Sequence, residues 1–130
     1  MKTGLKVSDI MVKDVISVKS KEKIIDCARK MKRKRVGSLI ILDGDYVVGI
    51  VTEQDIVRRA TAEAIDLNLP IRKVMSINVQ LIEPDLDLVD AVNFMEKNDV
   101  RHLPVVKDDK LIGIITFKDI MDRAYTLKGC

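Results

Sequence analysis

Aromatic side chains are scarce in this sequence, which has two Phe, two Tyr and no Trp among 130 residues. Stacking on aromatic rings is therefore a poor basis for a ligand site, and a bound base would have to lie between aliphatic walls. The chain is nevertheless 47% hydrophobic and 33% charged, which excludes a disordered or fibrous protein. Its length suits one compact domain or two half-sized units that share a core.

Cysteine is also scarce, because the chain has only Cys27 and Cys130. Two cysteines at this spacing form neither a disulfide framework nor a metal-binding motif. Both cysteines are expected to be reduced thiols, which indicates a cytoplasmic protein. Residues 1–11 agree with this, because they lack the apolar core of a signal peptide. No apolar run approaches the roughly 20 residues that cross a membrane, so we expect no membrane contact.

A tandem repeat accounts for most of the chain. Shifting the sequence by 64 positions aligns residues 7–60 with residues 71–124 without a gap. About half of the aligned positions are identical or pair one aliphatic residue with another. We therefore predict two repeats, over residues 7–66 and 71–126. Because each would leave an apolar face open, we expect them to pack together about a pseudo-two-fold axis.

Apolar spacing within each repeat predicts the order strand, helix, strand, strand, helix, and hence a mixed α/β (α+β) fold. The first strands are expected at residues 15–18 and 79–82, followed by helices that Ser20 and Asp85 can cap. Hairpin turns are expected at residues 43–45, where Asp-Gly separates two apolar runs, and at 107–110. The closing helix of the first repeat is expected to run towards Leu67 and to be the longer of the two.

The most distinctive motif is the sequence GIVTEQD at residues 49–55, which is echoed by GIITFKD at residues 113–119. Each copy is an aliphatic strand that ends in Thr and becomes a helix. A capping box explains one copy taken alone, with Thr as the N-cap and Asp three residues later. Two equivalent copies favour a nucleotide site, in which the helix N-terminus and Thr face phosphate and Asp accepts hydrogen bonds from ribose hydroxyls.

These residues resemble a tandem pair of cystathionine-β-synthase (CBS) domains, or Bateman module, over about residues 7–126. The resemblance rests on the gapless repeat, V-R-H-L-P-V-V at 100–106, the two Gly-aliphatic-aliphatic-Thr-x-x-Asp motifs, and Asp-Ile-Met at 9–11 with Lys-Val-Met at 73–75. It implies a stand-alone regulatory module that binds an adenosine-containing ligand: AMP, ADP, ATP, S-adenosylmethionine or, less often, a dinucleotide. It also implies a homodimer formed through helices and an unknown regulated protein.

The resemblance further implies two clefts that each draw on both repeats. One cleft takes Thr52 and Asp55, with a wall from Val79, Leu81, Val100, Arg101 and His102. The other takes Thr116, Lys118 and Asp119, with a wall from Val15, Ser17, Val36, Gly37 and Ser38. The two Asp residues are assigned to ribose and the two Thr residues to phosphate. Because Gly37-Ser38 in the first repeat corresponds to Arg101-His102 in the second, we expect the clefts to differ.

The sequence does not support an enzyme, since it has no nucleophile paired with His and no paired acids within one motif. His102 is the only histidine and has no clustered ligands, so no metal site is expected. One alternative function is a ligand-independent dimerisation or scaffold module, in which Thr-x-x-Asp is only a cap.

A second alternative is nucleic-acid binding through the basic run at residues 29–35. We interpret that run as the solvated face of a helix with Met31 pointing inwards, because no aromatic residues interrupt it. Its equivalents in the second repeat include Glu96 and Asp99, and the net charge is only +3. Nucleic acid is therefore not the expected partner.

Overall fold

The helices and strands largely follow the predicted order. The computed structural model describes residues 3–129, with side chains described as far as Ala124. The elements in chain order are α1 (Val7–Ile10), β1 (Ser17–Lys19), α2 (Ile24–Lys34), β2 (Ser38–Asp43), β3 (Tyr46–Thr52), α3 (Glu53–Asp55), a π-helical segment (Ile56–Thr61), a 3-10 turn (Ile71–Lys73), α4 (Leu88–Asn98), β4 (His102–Lys107), β5 (Lys110–Thr116) and α5 (Phe117–Gly129). The expected mixture of helices and strands in two repeats is confirmed.

The chain forms two units, each with its own apolar core. The central unit is Ile16–Val79, and the flanking unit consists of the segments before and after it. Leu39 and Val51 are fully buried in the central core, as are Leu103 and Ile115 in the flanking core. The aliphatic runs seen in the sequence are therefore the strands that line these two cores.

The sheets of the two units differ by one strand. In the central unit β1 is parallel to β2, and β2 is antiparallel to β3. In the flanking unit β4 and β5 form an antiparallel pair, and Ile82 makes only an isolated parallel bridge with Val105. The strand expected at residues 79–82 is thus reduced to a single bridging residue.

Both predicted hairpin turns are present. Asp43 pairs with Tyr46 across a turn in which Gly44 has a φ of 60°. Lys107 pairs with Lys110 across a turn in which residues 108 and 109, both Asp, have φ values of 52° and 64°. Two-residue hairpin loops require positive φ, which Gly adopts at no steric cost and Asp tolerates better than most residues.

The predicted N-caps of α2 and α4 are wrong. The N-cap of α4 is Asp87 and not Asp85, and its side chain accepts a hydrogen bond of 2.9 Å from the Val89 N–H. The N-cap of α2 is Lys23 and not Ser20, and it makes no side-chain capping bond. The first N–H groups of α2, those of residues 24 and 25, donate to the carbonyls of residues 69 and 67, both at 2.9 Å. Backbone carbonyls from a distant segment therefore cap the start of α2, which Ser20 was expected to cap.

The closing helices also differ from expectation, because the first is the shorter. Helical structure after β3 ends at Thr61, whereas α5 extends over Phe117–Gly129. Ala64 adopts a φ of 51°, and the Ile65 N–H donates to the Ala60 carbonyl at 3.0 Å, which turns the chain back towards the start of α2. No helix of the described chain is long and apolar enough to cross a membrane.

Matching left-handed residues end α2 and α4. Arg35 has a φ of 56° and Asp99 a φ of 51°. The next residues, Val36 and Val100, each donate a backbone hydrogen bond to the carbonyl five residues earlier, at 3.1 Å and 3.0 Å. This is the Schellman arrangement, which satisfies helix-end carbonyls and brings an apolar residue back onto the helix. It sets where β2 and β4 begin.

The opening segment of each repeat lies in the unit that contains the rest of the other repeat. Val12 and Ile114 exchange backbone hydrogen bonds of 2.8 and 2.9 Å in the flanking unit. Ser76 and Ile50 exchange the equivalent pair, of 2.8 and 3.0 Å, in the central unit. The two compact units are therefore not identical with the two sequence repeats.

This exchange explains why Gly and Met recur in the repeat. A Cβ atom at Gly113 would lie 2.6 Å from Met11 Sδ, and a Cβ atom at Gly49 would lie 2.6 Å from Met75 Sδ. Both distances are shorter than van der Waals contact. Each Gly therefore leaves the space that the Met of the incoming segment occupies.

We predict that Gly113→Ala lowers the free energy of unfolding by about 1–3 kcal/mol, because the new methyl group overlaps Met11. Urea denaturation of the single variants and of Gly113→Ala with Met11→Ala measures the coupling. Shortening Met11 removes the overlapping sulfur, so the double variant should lose less stability than the two single losses together. Strictly additive losses would contradict this explanation of the glycine.

Candidate functional site

The Thr-x-x-Asp motif of the central unit forms a reciprocal capping box at the junction of β3 and α3. The Thr52 N–H donates to Asp55 Oδ2 at 2.9 Å, and the Thr52 hydroxyl donates to the same oxygen at 3.1 Å. The Asp55 N–H in turn donates to Thr52 Oγ1 at 3.3 Å. The capping role expected from the spacing is confirmed here.

The flanking unit repeats this arrangement at the junction of β5 and α5. The Thr116 N–H donates to Asp119 Oδ2 at 3.1 Å, and the Asp119 N–H donates to Thr116 Oγ1 at 3.1 Å. In both units the capping box uses only Oδ2 of a half-buried carboxylate. Since Oδ1 lies outside the box, the same Asp can cap its helix and accept hydrogen bonds from a ligand.

The start of β2 lies beside the central capping box. Ser38 pairs with Thr52 across the sheet, and the Glu53 N–H donates to the Gly37 carbonyl at 3.0 Å. The family resemblance assigns Gly37 and Ser38 to the cleft of the other repeat. Within the central unit they are neighbours of Thr52, while their role in the Asp119 cleft stays a prediction.

The flanking unit places Arg101 and His102 beside its own capping box. His102 pairs with Thr116, and the Phe117 N–H donates to the Arg101 carbonyl at 2.9 Å. The guanidinium carbon of Arg101 lies 5.1 Å from the centre of the Phe117 ring, which is within cation–π range. The sequence analysis missed the contact between Arg101 and Phe117. The available signal was the aromatic residue directly after Thr116, at the position where the first repeat has Glu53.

Lys118 contacts the next turn of its own helix. Its Nζ donates to Asp122 Oδ2 at 2.7 Å, and both side chains are exposed. The hydrogen bond that Lys118 donates to Asp122 raises the pKa of Lys118, and the charge of the same carboxylate adds to the effect. The lysine therefore stays charged, but a ligand phosphate would have to compete with Asp122 for it.

The remaining predicted site residues are distributed over both units. Val36 and Val100 are half-buried at the starts of β2 and β4. Val15 and Val79 are also half-buried, Ser17 begins β1, and Leu81 is 42% exposed. None of them is fully buried, although Val36 and Val100 pack against the two cores, and their role as cleft walls stays a prediction.

Two basic residues have structural roles that the sequence analysis did not assign. Lys30 Nζ donates to the Ser17 carbonyl at 2.9 Å, so this member of the basic run ties α2 to β1. Arg59 donates to the carbonyls of Val74 and Met75 at 3.1 and 3.2 Å. The available signal for the role of Arg59 was that residues 59 and 123 are both Arg in the repeat alignment. The expectation that Met31 points inwards is confirmed, since it is buried.

The described residues offer little for metal or nucleophile chemistry. They contain no cluster of three or more His, Cys, Asp or Glu side chains that could hold a metal ion. Burial raises the pKa of Cys27 to about 12, and the charges of Glu22 and Asp26 add to the rise. A thiol that stays protonated at neutral pH is a poor nucleophile. Cys130 lies outside the described residues.

Comparison with known proteins identifies the class. A family model described as "CBS domain" matches residues 7–61 and 71–125. The two sequence repeats, each with a Thr-x-x-Asp junction, are therefore a pair of CBS domains. The chain belongs to the CBS domain family.

Three proteins illustrate the similarity. An uncharacterised 17.7 kDa protein of Acidianus ambivalens is 38% identical over 117 residues, which cover 88% of this chain and 70% of that protein. A signal-transduction protein with CBS domains from Burkholderia ambifaria has a TM-score of 0.89 at 26% identity, covering 94% of this chain and 95% of the other. The CBS domain pair of protein MJ0100 has a TM-score of 0.86 at 29% identity, covering 95% and 98%. That pair was solved in complex with 5′-methylthioadenosine and S-adenosyl-L-methionine.

The capping box of the central unit yields a stability prediction. Thr52→Ala and Asp55→Ala should each lower the free energy of unfolding by about 1 kcal/mol, because each removes two of the three hydrogen bonds of the box. The double variant should lose more than either single one but less than their sum, since the bond from the Thr52 hydroxyl to Asp55 is lost in both. Urea denaturation measures all three, with the exposed Gln54→Ala as a matched control expected within about 0.5 kcal/mol of the unsubstituted protein. Additive losses would mean that the two side chains act independently.

Proposed function

We propose that this CBS pair is a non-catalytic regulatory sensor that binds an adenosine-containing ligand: AMP, ADP, ATP or S-adenosylmethionine. The observation that carries the proposal is the duplicated capping box, in which each Asp keeps one carboxylate oxygen outside the box. A cap by itself needs one oxygen. The second oxygen, at the end of a strand, suits the paired hydroxyls of a ribose.

The chemistry around each box supports a nucleoside with a charged or polar extension. The N-terminus of a helix favours anions, and the Thr hydroxyl can turn from Asp to donate to a phosphate oxygen. Half-buried Val36 and Val100 offer aliphatic walls for the base in a chain with few aromatic residues. The adenosyl compounds bound by the MJ0100 pair share the nucleoside that such a site would recognise.

Binding would act by changing the population of conformations that a partner recognises. A ligand shifts such an equilibrium only by its difference in affinity for the two states. We propose that the module works as a homodimer and passes this shift to a regulated protein. The buried free thiol of Cys27 supports a reducing, cytoplasmic setting.

Thermal melting with AMP, ADP, ATP, S-adenosylmethionine and NAD tests the ligand class, with GMP as a control for the base. A ligand present at about 100 times its Kd should add roughly 2.7 kcal/mol to the free energy of unfolding. We expect at least one adenosine compound to raise Tm and GMP to leave it unchanged. The adenosyl proposal fails if none of the panel changes the melt.

Isothermal titration of Asp55→Asn and Asp119→Asn assigns the sites. Asn keeps the shape of the side chain but loses the charge, so each variant should weaken binding at one site and spare the other.

A second experiment combines Arg101→Ala with each Asp variant in turn and shows which carboxylate shares a site with Arg101. A cleft built from both repeats predicts coupling to Asp55, whereas a site built from neighbours in one unit predicts coupling to Asp119. Equal weakening of both sites by each Asp variant would contradict two separate clefts.

A ligand-independent scaffold is the second candidate, because both capping boxes are complete without any ligand. It predicts that no nucleotide binds and that the Asp→Ala variants cost only the roughly 1 kcal/mol of a lost cap. Titration of the unsubstituted protein with the same panel separates the two functions directly.

A further inference from the structure

A recess of about 630 Å³ opens at the carboxyl ends of β1 and β2 in the central unit. It is lined by residues 17–21, which lead from β1 towards α2, and by Leu42, Asp43 and Gly44. We call it the β1–β2 recess. Its volume lies within the range of small-molecule sites, which is about 300–1,000 Å³. No residue of the capping boxes lines it.

The position of the recess in the fold is one that ligands commonly use. β1, α2 and β2 form a β-α-β unit, because β1 is parallel to β2 with Lys19 beside Leu42. In open α/β sheets, ligands bind outside the carboxyl ends of parallel strands. The central capping box lies at the opposite end of β2, where Ser38 pairs with Thr52. From Ser38 to Asp43 the strand extends roughly 16 Å, so the recess is separate from that box.

Lys19 and Lys21 supply positive charge at the recess. Both side chains are exposed, and neither forms an ion pair within the described part of the chain. Ser20 lies between them, is half-buried, and makes no side-chain hydrogen bond to any described residue. Two ammonium groups and a hydroxyl group within three residues are the donors that phosphate oxygens accept.

Two further basic residues are held against the lining of the recess. Lys30 Nζ donates to the Ser17 carbonyl at 2.9 Å, and the Arg72 N–H donates to the Ser20 carbonyl at 3.1 Å. Asp43 is the only anion among the described residues that line the recess. The recess therefore has an excess of positive charge, which raises the local concentration of anions.

The flanking unit has none of these four cations at the equivalent positions. Lys19, Lys21, Lys30 and Arg72 correspond in the repeat to Glu83, Asp85, Phe94 and Ser8. The flanking unit thus folds with anions or uncharged residues where the central unit has cations. Folding alone does not explain four cations around one recess, whereas an anionic ligand of the central unit does.

We propose that the β1–β2 recess binds a small phosphate ester. Lys19, Ser20 and Lys21 contact its phosphate group, and Asp43 accepts a hydrogen bond from a hydroxyl group of the same molecule. The Asp43 carboxylate would repel a free phosphate ion, and the volume of the recess also suits an ester with an organic part. This inference does not depend on the adenosine ligand of the proposed function.

A metal ion and a nucleic acid explain these residues less well. A divalent cation would meet several ammonium groups and a single carboxylate, and the described residues contain no cluster of metal ligands. A nucleic acid needs cations along a surface that follows its backbone, often with aromatic side chains between them. Here the cations surround a recess, and no aromatic residue is among its described lining residues.

NMR titration of the uniformly ¹⁵N-labelled protein with glucose 6-phosphate locates the binding. The backbone amide of Gly44 reports on the recess, and that of Gly37 reports on the central capping box, since the Gly37 carbonyl accepts from the Glu53 N–H. We expect saturable shifts at Ser20 and Gly44 and none at Gly37. Glucose, which has the hydroxyl groups but no phosphate, should leave all three unchanged.

Variants of the recess test the assigned roles. Lys19→Gln with Lys21→Gln, the neutral variant, should raise the Kd of glucose 6-phosphate by at least about tenfold, because it removes two charge-assisted hydrogen bonds. Asp43→Asn should weaken glucose 6-phosphate but not inorganic phosphate, which separates an ester from the free ion. The matched control Lys32→Gln with Lys34→Gln makes the same change in net charge at exposed positions of α2 and should leave the Kd unchanged.

Three results would overturn the proposal: a Gly44 amide that glucose 6-phosphate and glycerol 3-phosphate do not move, an unchanged Kd in the neutral variant, or sulfate binding as tightly as the esters. The last would show only an unspecific cluster of cations. Duplex DNA that binds more tightly than the esters, and only with Lys19 and Lys21 present, would assign these cations to nucleic acid instead.

The same variants keep the two ligand proposals apart. The neutral variant should keep its thermal response to the adenosine compounds, and the protein with Asp55→Asn and Asp119→Asn should keep its affinity for glucose 6-phosphate. An ester whose binding is lost with Asp55 or Asp119 would belong to a capping box and would contradict a separate site at the recess.

Discussion

This structure depends on one set of backbone hydrogen bonds. The opening segment of each repeat exchanges them with the Gly-aliphatic-aliphatic-Thr strand of the other repeat. Val12 pairs with Ile114 and Ser76 with Ile50, and each pairing brings a Met onto a Gly. Neither repeat can complete its unit from its own sequence. Each unit therefore needs residues from both repeats, because its sheet binds the opening segment that the other repeat supplies.

The strand that receives this segment ends at the candidate site. Gly113 holds Met11, and three residues later Thr116 begins the capping box with Asp119. The same short stretch thus closes a unit, starts a helix and presents a carboxylate oxygen. In the proposed site, binding and capping share these side chains, so a ligand at the box would act directly on a junction between sheet and helix.

Positions that differ between the repeats indicate where function can diverge. Gly37-Ser38 and Arg101-His102 flank equivalent capping boxes with different charge. Glu53 and Phe117 follow equivalent Thr residues, and the surfaces of α2 and α4 have opposite charge. Because the cores of the two units are alike, these differences cost the fold little and distinguish one half of the molecule from the other.

Local chemistry was enough to predict the two repeats, both hairpin turns, the Thr-x-x-Asp capping boxes, the inward Met31 and the family. The turns, the capping boxes and the inward Met31 depend on residues near one another in sequence, and the repeats and the family follow from the recurrence of such patterns 64 positions apart. Tertiary structure alone decided the start of α2 at Ile24, the early end of the first closing helix at Thr61, and the unit to which each opening segment belongs. Those features depend on backbone hydrogen bonds between distant residues, such as Ile24 with Leu69 and Val12 with Ile114, which no local pattern encodes.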